Sequence, residues 1–284
     1  MRRTLMLCSP AGAVLLLIVT SCSQQPQRTA EVVAAPGQQL PAETGDSLWN
    51  QVPEHLAKMI PQDLVEPRLM TPSTAEVTVR ALTNRTEIAF RLEWLDDSKS
   101  DTPGPAAMVD ACAVQIPQKL DKEPPDPQMG MAGKSVQVTY WRADWQASVA
   151  GRGDTIRDLY PNAAIDHYPF EAKSLEPGSQ AQKEMALRYA PARALGNLRS
   201  GPRAQPVEDL IASGPGTLAP GPSLGSTGKG RHEKSGWSVV IRRPLPEGLS
   251  PGQRTLVAFA VWQGSQHEAG ARKMRTGWIP LLRK

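Results

Sequence analysis

The side chains that most often carry catalysis form no recognisable set in this sequence. The histidines lack the i, i+4 spacing and the His-x-Glu-x-x-His pattern that place two imidazoles on one metal ion. Neither a Gly-x-Ser-x-Gly turn nor a phosphate-binding loop ending in Gly-Lys-Ser/Thr is present. A zinc site or a hydrolase therefore has no support. The histidines are His55, His167, His232 and His267.

The start of the chain has the pattern of an export signal. Arg2 and Arg3 precede an apolar run, residues 5–19, that is too short to span a bilayer comfortably. The sequence Val-Thr-Ser-Cys at residues 19–22 resembles a lipobox. We therefore predict a lipoprotein signal peptide at residues 1–21 and lipidation of Cys22, which would anchor an exported chain at the periplasmic side or the outer surface of a membrane. The alternative is a secretory peptide that is cut elsewhere.

The remaining cysteines exclude two further classes of protein. Without the leader only Cys22 and Cys112 remain, so no disulfide framework is available if Cys22 is acylated. Cys112 lies in an apolar run and is interpreted as a buried thiol, with a nucleophile as the alternative. No Cys-x-x-Cys-His sequence is present, which excludes covalent c-type haem attachment.

Composition and periodicity indicate an all-β fold. The 284 residues include 27 prolines and 23 glycines, which favours many turns over a helical bundle. Seven segments are predicted as strands, and they indicate a two-sheet antiparallel β-sandwich, immunoglobulin-like or carbohydrate-binding-module-like, with long loops and a few short helices. The formal net charge of +4, part of it from Arg2 and Arg3, is too small to indicate nucleic-acid binding. The segments are residues 76–81, 88–94, 111–116, 136–145, 237–242, 256–262 and 276–282.

The chain is predicted to hold one folded domain, residues 46–284, behind a flexible tether at residues 22–45, which are rich in Gln, Pro, Ala and Thr. Residues 84–85 are the expected hairpin tip. Residues 146–236 contain few strand-like runs apart from a possible helix near residues 180–189. We interpret this stretch as a functional lid of the same domain because long ordered loops usually cover a ligand or partner site.

Three separate parts of the chain carry a resemblance to a known family. The first comprises residues 46–49 (Asp-Ser-Leu-Trp) and 90–97 (Phe-Arg-Leu-Glu-Trp-Leu-Asp-Asp). The second comprises 111–117, 124–130 (Pro-Pro-Asp-Pro-Gln-Met-Gly) and 136–145, and the third comprises 257–266 and 270–278. Together they resemble the ethylbenzene dehydrogenase γ-subunit family, haem b-binding subunits of molybdoenzymes with relatives in dimethylsulfide dehydrogenase, selenate reductase and chlorate reductase.

The resemblance implies two axial ligands for a haem iron. Met129 matches the position of the family's ligating methionine, and Met131 competes for that role because the segment is Met-Gly-Met. Lys273 matches the position of the second ligand. A lysine binds iron only through its lone pair, so Lys273 has to lose its proton, which burial would favour. Without the resemblance, Met129 would be a gap-filling loop residue and Lys273 a solvated lysine.

A b-type haem also needs an apolar slot. We expect Trp141, Trp145, Tyr140 and Phe259 to supply it. The alternative places these aromatics in the sandwich core, and for Phe259 this alternative has at least equal weight. Arg142 and Arg272 are candidate partners for the haem propionates.

The function implied by the resemblance is electron transfer without catalysis. Electrons would pass between the iron–sulfur subunit of an extracytoplasmic molybdopterin oxidoreductase and a c-type cytochrome. The alternative is a haem-free surface lipoprotein whose β-sandwich binds carbohydrate or protein.

Overall fold

The computed structural model describes residues 27–119, 121–153, 156–162, 179–189 and 203–284. The predicted signal peptide and Cys22 lie outside these residues. None of the helices in the described ranges is long and apolar enough to cross a membrane. The described residues form three α-helices, α1 (Ala143–Val149), α2 (Ile156–Leu159) and α3 (Gln180–Tyr189), and short 3-10 helices at Ser47–Gln51 and Gly264–Gln266. Their strands are β1 (Val32–Pro36), β2 (Glu54–Lys58), β3 (Ile60–Pro61), β4 (Glu76–Thr83), β5 (Glu87–Leu95), β6 (Ala111–Pro117), β7 (Val136–Arg142), β8 (Val207–Ala212), β9 (Ala219–Pro220), β10 (Thr227–Glu233), β11 (Gly236–Pro244), β12 (Arg254–Trp262), β13 (Met274–Arg275) and β14 (Ile279–Arg283).

Two sheets share the long strand β12. The first sheet has the order β10-β11-β5-β4-β1-β14 and continues into the first half of β12, where residues 254–257 pair with β14. The second sheet begins with the second half of β12, where residues 258–262 pair with β6, and continues through β7, β8 and β9. On the other side of β12, β13 pairs with it and with β3. The chain therefore passes directly from one sheet to the other within one strand.

The main hydrophobic core lies between the two sheets. Alternate residues of each strand point into it, as the two-residue period of a strand requires. Phe90 of the first sheet meets Phe259 of the second, with ring centroids 6.1 Å apart. Trp237 lies between Trp94 and Trp141, at centroid distances of 6.4 and 5.0 Å. These large rings fill the space between the sheets and fix their separation.

The predicted fold class is confirmed: the chain is mostly β and forms a β-sandwich with few helices. One strand departs from the antiparallel prediction, because β1 runs parallel to both β4 and β14. The hairpin tip at residues 84–85 and the helix at residues 180–189 are present. Cys112 is a buried free thiol, and burial raises its pKa.

The tether prediction is wrong where it covers β1. Val32, Val33 and Ala34 are buried between β4 and β14, near the middle of the first sheet. The apolar run is only a few residues long, so it shows no periodicity, and both of its partners lie far along the chain. The tertiary pairing decides this strand, and local sequence does not reveal it.

Two further boundaries differ from the prediction. Residues 143–145 begin α1 instead of extending β7, and Arg142, the last residue of β7, forms a two-bond ion pair with Asp144 in the first turn of that helix.

The stretch at residues 146–236 contains β8, β9 and β10, which extend both sheets. Gly228 and Gly230 weaken the strand pattern of β10, yet both lie against Trp141, where a side chain would not fit.

Candidate functional site

A cavity of about 530 Å³ lies on the outer face of the second sheet, away from the main core. This volume falls in the range typical of pockets for small molecules and cofactors. Residues that alternate with the core-facing positions form its floor, and loops on either side of β12 and β6 form its walls. The floor residues are Ala113, Gln115, Val138, Tyr140, Leu210, Ala258, Ala260 and Trp262.

Small side chains create the space in this floor. Ala113 and Ala260 are paired across β6 and β12 and point to the same face, and Ala258 lies two residues from Ala260. Larger residues would fill the volume above the sheet, as they do on the inner face. The result is an apolar shelf, open on one side.

Met129 and Lys273 meet across this cavity. Met129 lies in the loop between β6 and β7, and Lys273 directly precedes β13. The Lys273 Nζ donates to the Met129 Sδ at 3.8 Å. A soft sulfur and an amine, which come from distant parts of the chain, thus face each other inside an apolar pocket.

The Met129 loop is held by hydrogen bonds on several sides. Gln115 Nε2 donates to the Pro127 carbonyl at 2.8 Å, and Trp278 Nε1 donates to the Pro125 carbonyl at 2.6 Å. The Met129 carbonyl accepts from the Gly214 amide at 2.8 Å.

Met129 itself has φ +74°, a conformation that non-glycine residues adopt rarely and mostly where the surroundings enforce it. Gly130 follows with φ +80°. The tight turn therefore projects the thioether into the cavity.

The Lys273 segment is fixed by Gln62 and Trp262. The Gln62 amide donates to the Lys273 carbonyl at 2.9 Å, and its side chain donates to the Ala271 carbonyl at 3.1 Å. Lys273 Nζ lies 5.2 Å from the centroid of the Trp262 ring. Because Trp262 Nε1 donates to the Gly270 carbonyl at 3.0 Å, the ring and the lysine loop are held together.

Burial changes the chemistry of this lysine. Loss of solvation, together with the charge of Arg275, lowers the pKa of Lys273 from 10.5 to about 8. An appreciable fraction of the side chain is therefore neutral near pH 8, and a neutral amine has a lone pair available for a metal. The Met129–Lys273 pair, called the donor pair below, can hold a metal centre between a soft sulfur and a nitrogen.

The predicted pocket residues divide between the two faces of the second sheet. Tyr140 and Arg142 line the cavity. Trp141, which lies between them on β7, points into the main core and is fully buried there. The Phe259 ring likewise packs on Phe90 in the main core, although Phe259 borders the cavity. Neighbouring residues of a strand face opposite ways, so Tyr140 and Trp141 cannot both line one pocket.

Three other predicted residues lie outside the cavity lining. Trp145 packs behind Tyr140, at a centroid distance of 5.6 Å, and supports it. Met131 follows the tight turn and is 43% exposed. Arg272 precedes Lys273 but is not among the lining residues.

Several lining residues were missed by sequence reasoning. Trp262 shares the face of Ala258 and Ala260, so strand alternation alone could have placed it. Arg275 follows Lys273 by two residues and could have been found in the same way. Gln115 holds the Met129 loop by a hydrogen bond to the Pro127 carbonyl, and no local sequence pattern indicates this role.

The fold and the site define a β-sandwich protein that presents a methionine–lysine pair in an apolar cavity outside its core. The sequence profile described as ethylbenzene dehydrogenase matches residues 46–274. The chain therefore belongs to the ethylbenzene dehydrogenase family.

A relative in Haloferax mediterranei carries the provisional name respiratory nitrate reductase heme subunit; it is 26% identical over 288 residues, covering 94% of this chain and 80% of the relative. Two solved structures of a family 9 carbohydrate-binding module from Caldicellulosiruptor kristjanssonii are also similar. The cellotriose complex has a TM-score of 0.40 and the glucose complex 0.37, each at 11% identity. The cellotriose complex covers 91% of this chain and 94% of its own, and the glucose complex 91% and 96%. A similarity at this level carries no argument about function.

Proposed function

We propose that this chain is the haem b subunit of a molybdenum oxidoreductase and that Met129 and Lys273 are the axial ligands of the haem iron. Family membership and the provisional name of the Haloferax relative support the class of protein. The observation that carries the proposal for this chain is the donor pair: two suitable ligands face each other in an apolar cavity.

The donor pair would hold the haem iron. Its thioether sulfur and amine nitrogen lie 3.8 Å apart, so both donor atoms reach the same place in the cavity.

Each ligand has a defined task in this proposal. The neutral thioether of Met129 favours ferrous over ferric iron and so raises the reduction potential. The amine of Lys273 supplies a lone pair once its proton is lost, and burial of the side chain favours that loss. A bound haem supplies one-electron exchange.

The chain would accept and donate single electrons and would catalyse no bond-making step. We propose the iron–sulfur and molybdopterin subunits of an extracytoplasmic complex and a c-type cytochrome as partners. Lipidation at Cys22 and removal of residues 1–21 would place the domain on the exported side of a membrane, attached by acyl chains.

Reconstitution with haem tests the proposal. The purified chain is titrated with haemin, and the product is identified by its Soret band and by pyridine haemochrome quantification. We expect one b-type haem per chain. Met129→Ala and Lys273→Ala should each shift the spectrum or weaken binding by at least tenfold, because each removes one axial bond.

Met131→Ala is the matched control. Met131 lies two residues from Met129 but is exposed outside the cavity, so its removal should leave the spectrum unchanged. The proposal fails if the unaltered chain binds no haem, or if Met131→Ala alone alters the spectrum while Met129→Ala does not.

A further inference from the structure

Arg275 brings a positive charge into the same cavity. It lies on β13, two residues after Lys273, and therefore points to the same side of the strand. Its backbone pairs with Ala260 of the cavity floor, and its side chain lines the cavity. Arg275 is only 8% exposed, and its Nε is buried.

This cation has no partner among the residues that the structure describes. No ion pair or side-chain hydrogen bond of Arg275 is found among the described residues, and its buried Nε has no acceptor. Arg142, the other arginine of the cavity, differs because its Nε and Nη2 both donate to Asp144 at 2.8 Å. Buried charges are costly unless paired, so an unpaired arginine points to a missing anion.

The carboxylates of the cavity lining are already engaged. Glu268 is fully buried and accepts from Ser73 Oγ at 2.5 Å and from the Gln263 amide at 2.9 Å. Glu66 forms an ion pair with Arg68 at 2.8 Å. We therefore expect the ligand to supply the negative charge that pairs with Arg275.

We propose that Arg275 binds a carboxylate substituent of the cavity's ligand; given the proposed function, on which this inference rests, that substituent is a haem propionate. Arg275 takes this role in place of Arg142, which is occupied by Asp144, and of Arg272, which lies outside the lining. Guanidinium and carboxylate form paired, charge-assisted hydrogen bonds, which give both affinity and orientation. This contact would fix the orientation of the bound ligand in the cavity.

A comparison of haem with its dimethyl ester tests this contact. The ester keeps the iron and the ring but neutralises both carboxylates. Arg275→Gln should weaken haem binding by roughly 10- to 100-fold, as expected for a lost charge-assisted pair. The same substitution should change binding of the ester by less than about threefold, and Arg272→Gln should leave the affinity for either ligand unaltered.

The thermal stability of the ligand-free protein gives a second, independent measurement. Arg275→Gln removes an unpaired buried charge, so the ligand-free variant should melt at the same temperature as the unaltered chain or higher. An arginine with a purely structural role would lower that temperature when replaced.

Each outcome has a distinct meaning. Equal losses for haem and ester, or a ligand-free variant that melts several degrees lower, would overturn the role of Arg275 and leave the haem proposal standing. If the unaltered chain binds neither haem nor ester, the proposed function itself fails.

Discussion

At the scale of single residues, the protonation state of Lys273 would govern the proposed haem binding. Its pKa of about 8 means that the amine is mostly protonated at pH 6 and mostly neutral at pH 9. A protonated amine cannot bind iron, so the affinity for ferric haem should fall as pH falls below 8, by about tenfold per pH unit. Haem titrations between pH 6 and 9, followed by the Soret band, measure this slope.

Lys273→Met provides the control for that slope. The variant keeps an axial donor but removes the titrating amine, so its haem affinity should vary much less over the same pH range. A slope that persists unchanged in Lys273→Met would assign the pH dependence to another group.

The same lysine affects the stability of the ligand-free protein. Its pKa is lower in the folded state, about 8, than the ordinary 10.5, so the unfolded chain binds more protons between these values. Stability should therefore rise with pH from about 8 to 10.5 and be lowest, for this group, below pH 8. Urea unfolding of the ligand-free chain and of Lys273→Met should show this difference, with the variant more stable at pH 7.

Which single residues could be predicted depended on whether a family resemblance or a strand pattern indicated them. Resemblance alone pointed to Met129 and Lys273, and the fold brings them into contact. The aromatic set was less accurate because it ignored strand alternation, which separates Tyr140 from Trp141. Arg275 carried no signal in the sequence beyond its spacing from Lys273, since only the fold shows that it is buried and unpaired.

At the scale of elements, the turn that presents Met129 depends on Gly130. A Cβ at this position would lie 2.9 Å from the Lys134 carbonyl oxygen and 3.0 Å from that of Ala212, at φ +80°. Gly130→Ala should therefore lower the free energy of unfolding by more than the roughly 1–2 kcal/mol of a left-handed residue alone. It should also weaken haem binding, because Met129 has to move with the turn.

Gly133→Ala is the matched control for this turn. Gly133 has φ +78°, but a Cβ there would meet nothing within 4 Å. Its replacement should cost only the conformational term and leave haem binding intact. Urea denaturation and haem titration of both variants compare the two effects, and equal losses would contradict a steric role for Gly130.

Elements were predictable where the sequence repeats a pattern over many residues. The long strands β5, β11 and β12 alternate clearly and were found. Strand β10 alternates polar residues with glycines, so it lacks the apolar signal of a strand. The Trp141 ring packs against its two glycines. This contact forms only when the sheets assemble, so the segment alone does not predict it.

At the scale of the whole molecule, β1 joins the two ends of the domain. It pairs with β4 on one side and with β14, the last strand of the described chain, on the other. A chain that begins at residue 46 would lose this strand and expose the facing edges of both neighbours. We expect it to be strongly destabilised or insoluble, whereas a chain that begins at residue 27 should fold. Circular dichroism during thermal unfolding distinguishes the two.

The cavity lies outside the main core, so folding of the core and occupation of the cavity can be separate events. The aromatic rings between the sheets pack on one another, Phe90 on Phe259 and Trp237 on Trp94 and Trp141. If the chain binds haem as proposed, the scaffold can therefore fold first and take up haem afterwards.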